Sequence, residues 1–115
     1  MKEKLIGILE TIGYPAYLQG SMSEDDEYPE SFFTFWNFDT KEIRHYNDEA
    51  TFISYGFWIY FYSVNPALVE NVMKETVTKL KESGFLITVA GMDADSGTKT
   101  HTGKMIEIYY TEEIK

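Results

Sequence analysis

A chain of 115 residues with a formal net charge of −9 and a pI near 4.6 is read as one domain, residues 1–115, long enough for a core and too short for two. It has no cysteine, which excludes thiolate zinc sites and disulfides, and its acidity opposes direct contact with phosphate backbones or anionic lipid. Tyr, Phe and Trp make up 17% of the chain, and such residues serve interfaces as readily as cores.

The first element is a helix. Leu5, Ile8, Leu9 and Ile12 fall on one helical face, Gly13 stands where a left-handed cap belongs, and Pro15 follows. The charged start Met1-Lys2-Glu3-Lys4 leads into this pattern without an apolar h-region, so a signal peptide is not expected. No apolar run reaches the length of a bilayer span, and synthesis in a cytoplasm is expected.

Ala16 to Gly20 is a short strand candidate, and Ser31 to Phe38 is a second. Asp39 to Asn47 reads as a polar loop or a ragged hairpin. Thr51 to Tyr62 is the strongest strand pattern. Its odd positions, Ile53, Tyr55, Phe57, Ile59 and Phe61, are the more apolar set and are assigned to the core; its even positions, Ser54, Gly56, Trp58, Tyr60 and Tyr62, are assigned to the other sheet face.

Asn65-Pro66 starts a second helix as cap and first helical residue, and Gly84 ends it. The stripe Leu68, Val69, Val72, Met73, Thr76, Val77 and Leu80 lies between them. Phe85 to Ala90 is a strand, Gly91 to Gly103 a polar loop, and Lys104 to Thr111 the last strand. The order α-β-β-β-α-β-β gives an α+β fold: an antiparallel or mixed sheet of about five strands with two helices packed on one face. Two helices cover one face only, so the aromatic even-numbered face needs another partner.

That need is sharpest at the abrupt passage from Glu24, Asp25, Asp26 and Glu27 to Phe32-Phe33-Thr34-Phe35-Trp36-Asn37. Between Ser23 and Ala50, nine acids stand against Lys41 and Arg44, which places −7 of the −9 in one stretch. Assembly interfaces bury aromatics centrally and leave charges at the rim. Trp58, Tyr60 and Tyr62 with Glu24, Asp25, Asp26 and Glu27 are therefore the expected interface residues.

Chemistry is not expected. Asp93-Ala94-Asp95-Ser96-Gly97 echoes a calcium loop, but Gly97 occupies a ligand position and no glutamate closes the loop. His45 and His101 lack metal-ligand companions and a nucleophile turn, and Gly91, Gly97 and Gly103 form no phosphate cradle. No cofactor, metal or catalytic residue is assigned. A different class of function stays open: a small cytoplasmic enzyme or ligand-binding domain with a pocket against the aromatic sheet, using Asn37, His45 and Tyr46.

Gly13-Tyr14-Pro15, Leu18-Gln19-Gly20, Tyr28-Pro29-Glu30-Ser31 with the aromatic run after it, Asn65-Pro66 and Thr100-His101-Thr102-Gly103 resemble small proteins of phage and prophage late operons in Gram-positive hosts. Those are similar to the tail-terminator, tail-completion and head–tail joining proteins of long-tailed phages. The resemblance implies a structural, non-enzymatic subunit of the virion tail, assembled in the host cytoplasm. It further implies a ring, usually a hexamer, that caps the tail tube and meets the head connector; that nucleic acid and membrane are not direct partners is expected from the acidity and the lack of a long apolar run.

Overall fold

The computed structural model describes residues 2–18, 29–44, 51–94 and 100–114. Helix α1 spans Lys2–Glu10, followed by strands β1 (Ala16–Leu18), β2 (Ser31–Arg44) and β3 (Thr51–Ser63). Helix α2 (Pro66–Glu82) precedes β4 (Leu86–Ala94) and β5 (Thr102–Ile114). The five strands form one mixed sheet in the order β1-β2-β3-β5-β4; β1 runs parallel to β2 and all other neighbours are antiparallel.

Helix α2 shows why these residues fold locally as they do. The Asn65 side chain accepts from the Ala67 amide at 3.1 Å, and Pro66 fills the first helical position, where no amide donor is needed. At the other end Gly84 adopts φ 93°, and the amides of Gly84 and Phe85 return to the carbonyls of Lys81 and Leu80. Buried Leu80 and Phe85 close this Schellman turn with an apolar contact. Gly13, at φ 108°, reverses the chain after α1 in the same left-handed region.

Register divides the sheet into rows. One face carries Phe33, Phe61 and Lys104; then Phe35, Ile59 and Ile106; then Asn37, Phe57 and Ile108. Both helices pack here, and Leu5, Leu9, Val69, Val72, Met73 and Leu80 are buried in one core with Phe33, Phe35, Phe57, Ile59, Phe61, Ile106 and Ile108. The odd-numbered face of β3 is therefore the core face, as its alternation predicts.

Two expectations change. Of the two readings of Asp39 to Asn47, polar loop or ragged hairpin, the loop gives way to the hairpin as far as Arg44: β2 continues antiparallel to β3, through a bulge between Asn37 and Asp39. The Asn37 amide donates to the carbonyls of Asp39 and Gly56, each at 2.9 Å, while Thr40 donates to the Asn37 side-chain oxygen. These bonds hold the extra residue in place, and polar residues then continue the ladder because β3 supplies partners as far as Thr51. Gly91 to Gly103 is also shorter than a loop of that span, since β4 runs to Ala94 and pairs there with Gly103. Residues 95–99 lie outside the described residues. The long β2, β3 and β5 give the molecule its extents of 54 × 28 × 22 Å.

Candidate assembly interface

The face opposite the helices is built from four rows across β2, β3 and β5: Phe32–Tyr62–Gly103, Thr34–Tyr60–Met105, Trp36–Trp58–Glu107 and Asp39–Gly56–Tyr109. Strand β4 extends the face at its edge, where Leu86 lies opposite Tyr109 and Met92 opposite Met105. Strict alternation along β2 and β3 produces this layer, because Phe33 and Phe35 must point to the helices. The bulge adds Phe38 to it.

The rings pack on one another and on two glycines. Phe38 stacks on Trp58 with centroids 4.7 Å apart and meets Tyr109 edge-on at 5.7 Å. A side chain at Gly56 would come within 2.7 Å of the Phe38 ring, so the absent Cβ is what lets that ring lie flat on the strand. Tyr62 covers Gly103 in the same way, tilts against Phe32 at 5.4 Å and runs parallel to Tyr60 at 6.0 Å. Such aromatic cover over strand glycines fixes the pairing register.

Within the layer Phe32, Thr34 and Met105 are buried, and the large exposed apolar side chains stand apart, Trp36 on β2 and Leu86 and Met92 on β4. Trp36 is 45% exposed, Leu86 64% and Met92 53%, although these are residue types that ordinarily bury. Two carboxylates belong to these rows, Asp39 beside the bulge and Glu107 between the exposed side chains. Glu107 accepts from Trp58 Nε1 at 3.3 Å and from the Thr88 hydroxyl at 3.0 Å, so both its oxygens are held by neutral donors. The Tyr109 hydroxyl is held above its ordinary range, by desolvation first and then by the fields of Glu107 and Asp39.

Of the expected interface residues, Trp58, Tyr60 and Tyr62 share this face, each partly buried. Glu24, Asp25, Asp26 and Glu27 lie outside the described residues, as do His45 and Tyr46. Sequence reasoning did not single out Trp36 and Glu107. The signal for Trp36 was present, since it is in phase with Phe32 and Thr34 on β2; Glu107 is in phase with Met105 and Tyr109 on β5.

Of the residues considered for chemistry, Asn37, Asp93 and His101 lie among the described residues, and each has structural partners there. Asn37 spends its side chain in the bulge. A hollow of about 210 Å³ beside it, bordered by Lys2, Tyr55 and Phe57, opens on the helix side of the sheet. A groove of about 430 Å³ runs between the helices past Lys4, Gly7, Thr11, Lys79 and Ser83. Neither is lined by the aromatic face. His101 Nε2 lies 2.9 Å from the Pro29 carbonyl, which can only accept, so the ring donates there, and Nδ1 lies 2.9 Å from the Thr100 hydroxyl. Asp93 stands at the end of β4, 3.8 Å from the Lys104 ammonium. Among the described residues no group of three or more His, Cys, Asp or Glu is placed to hold a metal ion, and no helix is long and apolar enough to cross a membrane.

No protein-family model matches the chain, and no curated protein matches it either.

Proposed function

We propose that this chain is a structural protein of phage tail assembly, one that forms a ring ending the tail tube or joining the tail to the head. The observation that supports this reading most is the open aromatic face: a five-stranded sheet with helices on one side only and Trp36, Leu86 and Met92 turned to solvent on the other. Large apolar side chains exposed in this way are costly to leave in water and fit burial against another protein. The sequence resemblance supplies the particular assembly.

In this reading the core on the helix side makes each subunit stable by itself, and the aromatic side becomes buried only in the particle. Termination needs no chemistry. A ring seated on the tube occupies the surface to which the next tube subunit would add, and it offers a different surface to the head connector.

The test is genetic. Disrupting the gene in the host strain that carries it is expected to yield overlong, headless tails, restored by the wild-type chain and not by Trp58→Ala. Complete infectious particles in the disrupted strain would reject the reading. Trp58→Ala loses the Phe38 stack and the Glu107 bond but no core contact, so the variant protein should remain folded.

A further inference from the structure

We infer that the neighbour seated on the open sheet face is a different protein that inserts a basic side chain, Arg or Lys, beside Trp36 and Glu107. This rests on reading the face as an assembly surface, and it specifies which kind of partner that surface takes.

By register the described strands place three carboxylates on this face, Asp39, Glu107 and Glu113, against the one cation Lys41, which lies opposite Ser54 toward the far end of the sheet. Glu107 lies near the middle of the aromatic surface. Its two oxygens have neutral donors, and neither it nor Asp39 has an ion-pair partner among the described residues. The hydrogen bonds fix the carboxylate in place without neutralising it. Covering the face with a purely apolar surface would strand that charge away from water, which is expensive. A guanidinium or ammonium group solves both problems, since it pairs with the carboxylate and lies favourably on an indole face. Trp36 supplies the accessible indole, directly across the register from Trp58 and one strand further from Glu107.

A second copy of this chain fits less well. Two open faces brought together would oppose acidic surface to acidic surface on molecules that each carry −9. The helix layer of another copy offers Glu70, Lys74, Glu75, Lys81 and Glu82 along the exposed side of α2, a solvated face of mixed sign. Lys104 is already committed to Glu70 at 2.6 Å. What the face lacks is an apolar partner with positive charge, and this chain presents no such surface among its described residues.

The experiment follows the indole N–H signals of the two tryptophans by NMR while the full chain is titrated with a short capped peptide of alternating Arg and Leu. An otherwise identical peptide of Glu and Leu is titrated in parallel. The basic peptide should shift both indole signals and the acidic one neither. Glu107→Gln combined with Asp39→Asn should weaken binding about tenfold, and Trp36→Ala by a similar factor. The charge-matched control Glu75→Gln with Glu82→Gln, on the helix side, should change affinity by no more than about twofold. Equal response to both peptides, or binding unchanged by the Glu107 and Asp39 substitutions, would overturn the inference. So would indole signals that move when the protein alone is concentrated, since that identifies a second copy as the occupant. If any of these results accompanied failure of Trp58→Ala to complement assembly, the assembly reading would stand and the basic partner alone would fall.

Discussion

Glycines give the sharpest contrast between what a residue does and where it stands. A Cβ on Gly103 would lie 2.6 Å from the Tyr62 ring and 2.8 Å from the Ala94 carbonyl oxygen, a backbone atom that cannot move alone. Gly7 sits inside α1 with open space around it. Gly103→Ala should therefore cost about 1–3 kcal/mol through overpacking. Gly7→Ala should instead stabilise by about 0.5–1 kcal/mol, because alanine is the better helix residue and restricts the unfolded chain. Denaturant unfolding of the two variants checks both signs. The sequence alone predicts neither, since Gly103 reads there as the end of a polar loop and Gly7 as part of a helical pattern. Their difference comes from what lies across the sheet. Trp36 is the opposite case: its outward direction follows from alternation, but its exposure depends on both described helices packing on the other face.

At the scale of elements, the two helices hold the molecule together from one side. Leu9 and Val72 are buried in the shared core, and Leu9→Ala or Val72→Ala should each lower stability by about 2–5 kcal/mol as cavity-forming changes. Losses below about half a kcal/mol at both sites, within the range of neutral surface changes, would place the core on the wrong face. A polar link also ties α2 to β5. The Lys104 ammonium beside Glu70 lowers that carboxyl below its ordinary range, first by hydrogen bonding and then by charge. A carboxyl with a depressed folded value adds stability above its unfolded pKa and loses it as pH falls through the folded one. Wild type should therefore exceed Glu70→Gln in stability near neutral pH, and the difference should vanish in acid. Thermal melts across that range would show it, and the effect should be small because the pair is exposed.

Helix ends and faces were legible because Asn65-Pro66, Gly84 and the apolar stripes act through local rules. The extension of β2 through Asp39 to Arg44 was not, because those residues are polar and the ladder that holds them is made by β3. The bulge was hidden for the same reason: Asn37 directs its side chain to a carbonyl 19 positions away. Of the candidate interface, the aromatic half was readable from period-two alternation. The place of Glu107 within it was not, since a lone acid between Ile106 and Ile108 looks like an ordinary solvated position until Trp58 and Thr88 are seen to hold it.

At the scale of the whole molecule, a sheet with a finished core on one side and an unfinished aromatic surface on the other is the central observation. On the function proposed above, this surface becomes buried against another protein. Hydroxyl-radical footprinting read by mass spectrometry tests that most directly, because it reports side-chain exposure at Trp36, Trp58 and Tyr60 individually. The free chain and assembled particles from the host strain would be compared. Oxidation is predicted to be ready at Trp36 in the free chain and strongly suppressed at all three residues in the particle. Equal oxidation of Trp36 in the two states would contradict the account.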